Sequence, residues 1–167
     1  MLSRLFPKAF DNAYRGHWLA IWILAPIVLM KLAMGVNVAG LNPWVANRVI
    51  IETADGIPIG AYGAEAASVV MFLFASWGLG LLVLSSLGIV VLVRYRAMLP
   101  LMYLLLSIEQ LGRKAISYVS PIIRPVATDG VSVGALINWG FSAALVIGLV
   151  LSLQGNGHSP KPRSNSA

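Results

Sequence analysis

A stretch of 28 residues without a single charge, from Ala66 to Val93, constrains the fold of this chain more than any other feature. A helix needs about 20 apolar residues to cross the hydrocarbon core of a bilayer, which is about 30 Å thick. Two further runs have this length: Trp18 to Val38, interrupted by Lys31, and Val131 to Leu153, which is uncharged. Hydrophobic residues make up 58% of the 167 residues and charged residues 11%, against about 45–50% and about 25% in soluble domains. The sequence therefore predicts an all-α integral membrane protein and excludes a water-soluble globular domain.

A fourth candidate span is shorter, because only 12 uncharged residues, from Ala97 to Ile108, precede the charged group that begins at Glu109. Leucine and methionine side chains nevertheless cover every face of this helix, whereas a helix lying on the membrane surface keeps one polar face. We therefore predict a bundle of four transmembrane helices over residues 18–38, 66–93, 97–118 and 131–153. The alternative has three spans, with the third segment at the surface.

The distribution of basic residues predicts the orientation. Four spans with the N-terminus inside place seven Lys and Arg residues on the inner side and four on the outer side, and three spans place eight and three. Both patterns agree with the positive-inside rule for a cytoplasmic N-terminus. We expect a bacterial inner-membrane protein with both termini cytoplasmic. Asn37-Val38-Ala39 also offers a weak signal-peptide cleavage site, but the 16-residue polar lead and Lys31 within the run favour a retained helix.

The segments outside the spans have distinct patterns. In residues 1–16, apolar residues recur with helical spacing, which predicts an amphipathic interfacial helix on the inner headgroups. In the external loop, residues 40–65, Asn42 is a predicted N-cap for a short helix over residues 43–55 that ends before Gly56. Residues 154–167 are rich in Gly, Ser, Pro, Asn and basic residues, which predicts a disordered tail.

Residue patterns that carry known chemistry are missing from the sequence. The chain has no cysteine, its histidines stand at positions 17 and 158, and it contains no H-E-x-x-H, Walker A, G-x-G-x-x-G or G-x-S-x-G motif. We therefore expect a non-enzymatic protein without catalytic, cofactor-binding or metal-binding residues. His17 beside Trp18 could ligate haem or a pigment, but an interfacial histidine in an aromatic belt explains it as well. The basic excess serves topology and lipid headgroups, so no nucleic-acid partner is expected.

Charged residues inside predicted spans are the best candidates for a functional site, because ionisable groups in a bilayer are costly and usually functional. Lys31 lies about 20 Å along the first span and Glu109 about 18 Å along the third. In the four-span topology both spans rise from the inner side, so the two residues reach a similar depth and could pair. In the alternative, Glu109 pairs with Arg113 four residues on, and Lys31 extends its ammonium towards the interface.

Small residues four apart form a groove on the last span: Gly140, Ala144, Gly148 and Ser152. Such faces let helix backbones approach closely, either within the bundle or against a partner. The expected function is an accessory or scaffold subunit that packs in the lipid bilayer on a membrane-protein partner or forms a homo-oligomer. The alternative is a small transporter or channel element that uses Lys31 and Glu109.

Overall fold

The computed structural model of the chain describes residues 5–7, 9, 11–121 and 133–154. The main helices in these ranges are α1 (Leu19–Val38), the short α2 (Asn47–Ile50), α3 (Ala64–Val93), α4 (Leu99–Val119) and α5 (Val133–Leu153). A π-helical turn, Ile51–Asp55, extends α2, and 3-10 turns occupy Ile59–Ala61 and Arg96–Met98. Every regular element in the described ranges is therefore helical, which confirms the predicted all-α class.

Three helical segments are long and apolar enough to span a membrane: Leu19–Val38, Ala64–Val93 and Leu136–Leu153. Helix α4 has 21 residues, but Glu109, Arg113 and Lys114 interrupt its apolar sequence. By length and composition, membrane localisation is plausible.

Helices α1 and α3 pack closely along a seam in which glycine is required. A Cβ atom on Gly78 would overlap the backbone of Ala39, and one on Gly88 would lie 2.7 Å from Cγ2 of Val28. Since Gly78 meets the end of α1 and Gly88 meets its middle, the two helices run antiparallel. Because glycine has no side chain, the two backbones approach closely. Dispersion contacts along this seam then stabilise the packing of α1 on α3.

Helix α4 lies beside α1 and runs in the same direction. Near their starts, the hydroxyl of Tyr103 donates a hydrogen bond to the carbonyl of Ala20 at 2.6 Å, and further along, Lys31 donates one to Gln110 at 3.2 Å. Helix α5 returns antiparallel to α4, because its early residue Asn138 meets Gln110 and its later residue Gly148 packs on the ring of Tyr103. The main core lies between these helices and α3 and comprises Ala20, Leu24, Ile27, Val28, Val91, Leu99, Met102, Tyr103, Leu106 and Leu145.

The predicted N-terminal amphipathic helix is described only in part, and residue 5 is helical. Residues 11–17 are not helical, and the Asp11 carboxylate accepts a hydrogen bond from the amide of Ala13 at 3.1 Å. Such local side-chain bonds compete with helix formation. The hydroxyl of Tyr14 donates to the carbonyl of His17, and burial raises the pKa of Tyr14 to about 12. Residues 1–4, 8 and 10 of the predicted helix lie outside the described residues.

The loop of residues 40–65, predicted to be external, is folded onto the N-terminal part of α3. Its helix begins at Asn47 rather than at residue 43. The side chain of Asn42 accepts a hydrogen bond from the amide of Trp44 and forms an Asx-turn before the helix. The helical segment ends at Gly56, whose φ of 66° places it in the left-handed region that favours glycine. Three buried isoleucines anchor the loop to α3: Ile51, Ile57 and Ile59. Residues 155–167 of the predicted tail lie outside the described residues.

Candidate functional site: an ionic cluster and its cavity

Three helices contribute polar side chains to one partly buried site, which we call the ionic cluster: Lys31, Glu109, Gln110, Arg113 and Asn138. Lys31 and Gln110 are buried, and Asn138 is exposed. Lys31 stands on α1, seven residues before the helix ends, and is 4% exposed. Glu109, Gln110 and Arg113 share the inner face of α4, and Asn138 lies near the start of α5. Because α1 and α4 run side by side in the same direction, Lys31 and Glu109 meet at the same level.

The carboxylate of Glu109 is shared between two cations. Its Oε2 atom accepts a hydrogen bond from the ammonium of Lys31, and its Oε1 atom lies 2.7 Å from Nε of Arg113, one helical turn away. The second contact is not aligned as a hydrogen bond, since neither Oε1 nor Nε has a hydrogen-bond partner. Glu109 therefore neutralises one of two positive charges, and the arrangement retains an excess of positive charge.

Gln110 connects the charged pair to α5. Its carbonyl oxygen accepts hydrogen bonds from Lys31 at 3.2 Å and from Nη2 of Arg113 at 3.0 Å. Its amide nitrogen donates to Oδ1 of Asn138 at 2.6 Å. With 3% of its surface exposed, Gln110 satisfies its amide within the protein. The network therefore ties α1, α4 and α5 together at one level.

Two tryptophans complete the electrostatic surroundings of the cluster. The guanidinium of Arg113 lies 4.7 Å from the ring centroid of Trp77 on α3, and the ammonium of Lys114 lies 3.3 Å from that of Trp139 on α5. The negative face of an indole ring attracts a cation without neutralising its charge. The cations thus gain a favourable setting and keep N–H groups that can bind a ligand.

The structure contains both of the contacts that the sequence left as alternatives, because the two oxygens of Glu109 serve Lys31 and Arg113 separately. Lys31 stays buried rather than extending to an interface. Sequence reasoning assigned no role at this site to Gln110, Lys114 or the two tryptophans; for Gln110 the available signal was an amide beside Glu109 within an apolar helix. His17 lies apart at the start of α1, where Nδ1 accepts a hydrogen bond from the amide of Leu19.

The residues of the predicted packing groove on α5 lie partly on the outside and partly on the inside of the molecule. Gly140 is exposed and would leave an added Cβ in open space, whereas Gly148 is filled by the ring of Tyr103. Ala144 is half-buried and Ser152 is 2% exposed. Residues four apart drift by about 40° around a helix of 3.6 residues per turn, so one spacing pattern spans two environments. The inner half of the groove serves packing within the chain.

A cavity of about 540 Å³ opens beside the ionic cluster, between α1, α4, α5 and the Asp55 end of the external loop. Its polar wall includes Lys31, Arg113 and Lys114, and its apolar wall includes Met30, Met34 and Phe141. This size lies within the range of about 300–1,000 Å³ that is typical of small-molecule sites. Among the described residues, no group of three or more His, Asp or Glu side chains could hold a metal ion.

Comparisons of the chain with protein-family models, with curated proteins and with solved structures found no match.

Proposed function

We propose that the chain crosses a bacterial inner membrane four times, with both termini cytoplasmic, and that α4 is the third span. Two contacts between α4 and α1 support this: Tyr103 with Ala20, and Gln110 with Lys31. Ala20 and Lys31 are 11 residues apart, which corresponds to about 16 Å along α1. A surface segment would not follow a spanning helix over half the thickness of the hydrocarbon. Glu109 and Arg113 of α4 belong to the ionic cluster, and Lys114 lies on Trp139 in the cavity wall. All three therefore have a partner within the protein, which weakens the main objection to placing this helix in lipid.

We further propose that the protein is a non-enzymatic element that binds or transports a small charged solute at Lys31 and Glu109. The observation that carries this proposal is the cavity, because its wall includes Lys31, a lysine that is 4% exposed and ion-paired. A structural ion pair needs no adjoining space, and buried charges without a role are replaced at little cost by apolar residues. A cavity with converging polar groups is the expected form of a ligand site.

The shared carboxylate suggests how the site works. A solute that enters the cavity meets Arg113 and Lys114 first and Lys31 at its inner end. If the solute pairs with one of the two cations that contact Glu109, the carboxylate still contacts the other cation, so no buried charge loses its partner. This exchange avoids the penalty of about 3–5 kcal/mol that accompanies an uncompensated buried charge.

Thermal unfolding of the purified chain in mild detergent, with a panel of small organic anions and cations, tests the proposal. We expect one charge class to raise the unfolding temperature in proportion to the logarithm of its concentration. The effect should disappear in Lys31→Met and persist in Arg48→Met, a matched change on the external loop outside the cavity. Counterflow of the stabilising solute in proteoliposomes then separates transport from binding. Equal responses of Lys31→Met and wild type would refute the proposal.

A role as an accessory or scaffold subunit is the second candidate, and the glycines of the chain favour it. At Gly78, Gly88 and Gly148, neighbouring residues occupy the space that a side chain would need. Gly80 on α3 and Gly140 on α5 face outward with open space around them. The outward positions could receive the helix of a partner as closely as the inward ones receive helices of this chain. Native mass spectrometry in mild detergent tests this: stoichiometric foreign subunits support a scaffold, and a homogeneous monomer contradicts it.

A further inference from the structure

The charge of the cavity indicates the sign of its ligand. Three cationic side chains, Lys31, Arg113 and Lys114, face two carboxylates, Asp55 in the cavity wall and Glu109 behind it. Three against two leaves one positive charge. In surroundings of low dielectric constant, one uncompensated charge attracts an opposite charge far more strongly than it would in water. A monoanion would neutralise the site, whereas a cation would add to the excess.

The donors of the cavity also suit an anion. The contacts that the described residues give to Arg113 involve its Nε and Nη2 atoms, and a guanidinium has five N–H donors in a planar fork that matches a carboxylate. Lys114 rests on the face of Trp139, which attracts the ammonium and leaves its N–H groups able to bind. A metal cation would instead need oxygen ligands, but Glu109 is already in contact with two cations.

The opposite wall of the cavity is apolar and open to the side. Met30, Met34, Ile137 and Phe141 line it, and Met30 and Ile137 are 51% and 52% exposed. Flexible methionine side chains adapt to ligands of irregular shape. In the proposed four-span topology, this side faces the acyl chains of the outer leaflet. A fully water-soluble anion would leave the apolar wall without a partner, whereas an apolar chain would cover it.

We propose that the cavity binds an anionic amphiphile, whose single negatively charged headgroup contacts Arg113 and Lys114 and whose apolar chain lies against Met30, Met34 and Phe141. This inference rests on the proposed function, since it names the class of the charged solute. A carboxylate with an alkyl chain has the required chemistry, whether it comes from water or from the bilayer. It would enter sideways from the outer leaflet, with its headgroup moving last into the cationic end.

Quenching of tryptophan fluorescence by brominated alkyl chains tests the proposal, because Trp139 lines the cavity. The full chain in phosphatidylcholine nanodiscs is titrated with bromododecanoate, bromododecanol or a brominated dodecyltrimethylammonium. We expect saturable quenching by the carboxylate and only linear, partition-like quenching by the alcohol. A charge-assisted hydrogen bond contributes enough that Lys114→Gln should weaken the apparent affinity about tenfold or more. Arg48→Gln should leave it unchanged, and Lys114 lies outside the ionic cluster, so this variant should keep the fold.

Each other result has a defined meaning. Saturable binding of the alcohol, or equal affinity in Lys114→Gln, would overturn the anionic headgroup. Saturable binding of the ammonium compound would overturn this inference and leave the proposed handling of a charged solute standing. Competition by acetate as strong as that by dodecanoate would overturn the amphiphile in favour of a soluble anion. If no probe saturates and no charged solute stabilises the chain, both proposals fail. Competition by phosphatidylglycerol added to the nanodisc would support the proposal and identify the bilayer as the source.

Discussion

Lys31 is the residue whose placement needs the most explanation, because a lysine on an apolar helix is costly unless it is paired. Its ammonium reaches Glu109 and Gln110, and the carboxylate of Glu109 also contacts Arg113. Because Lys31 and Arg113 share the carboxylate of Glu109, each cation has a partner and the site keeps a net positive charge. The geometry thus makes Lys31 tolerable in the protein interior and at the same time suited to attract an anion.

A double-mutant cycle on Lys31 and Glu109 measures this coupling. Lys31→Met should destabilise the chain by about 3 kcal/mol, at the lower end of the range for a broken buried pair, because Glu109 retains Arg113. Adding Glu109→Leu should then cost less than it does in the wild type, with a coupling of about 0.5–3 kcal/mol. Unfolding in detergent with a chemical denaturant provides the free energies.

The exposed pair Arg48 and Glu52, four residues apart on one helical segment, is the control for this cycle. Its coupling should be about 0.3–0.5 kcal/mol, as for surface pairs on helices. Simple additivity at Lys31 and Glu109 would show that the two side chains do not contribute as a pair.

At the scale of the helices, small residues decide which faces come together. Gly78 and Gly88 let α3 approach α1, and Gly148 receives the ring of Tyr103, which in turn is fixed by its hydrogen bond to Ala20. Tyr103 therefore connects three helices, α1, α4 and α5, at the end of the molecule opposite to the external loop. Close packing of this kind leaves no room for an added side chain.

Gly148→Leu should destabilise the chain by about 1–3 kcal/mol through overpacking, because its side chain would overlap the ring of Tyr103. Gly140→Leu, on the same helix but in open space, should change stability by no more than about 0.5 kcal/mol. The measurement is the thermal unfolding of both variants in the same detergent. Equal effects of the two changes would contradict the inward orientation of Gly148. A changed mass of the native assembly in Gly140→Leu alone would support the scaffold role.

At the scale of the whole molecule, two backbone hydrogen bonds show which helix ends lie together. The amide of His17 donates to the carbonyl of Leu151, and the amide of Ala97 donates to that of Asp11. The start of α1, the turn before α4 and the end of α5 therefore lie at one end. The external loop and the ionic cluster lie towards the other end, as the four-span proposal requires.

Reporter fusions test this topology in cells. A reporter after Ala167 should be active in the cytoplasm, and one inserted after Asp55 should be active on the outer side. In the four-span topology Asp55 follows one span and Ala167 follows four, so the two positions lie on opposite sides of the membrane. An external reporter at Ala167 combined with an external one at Asp55 would favour three spans, and α4 would then have to lie outside the hydrocarbon.

The sequence determined the helical class and the spans with the strongest hydropathy, because apolar length alone is enough to identify a helix that can cross a bilayer. It also identified Lys31 and Glu109, since charges within apolar runs stand out in any topology. Only the tertiary structure decided that both Lys31 and Arg113 contact Glu109, that Gln110 joins α5 to them, and that Gly148 faces inward while Gly140 faces outward. These facts depend on the rotation and relative height of packed helices, and a periodic pattern within one helix contains no information about its neighbours. The cavity arises for the same reason, because it is the space left between helices that each look continuous in sequence.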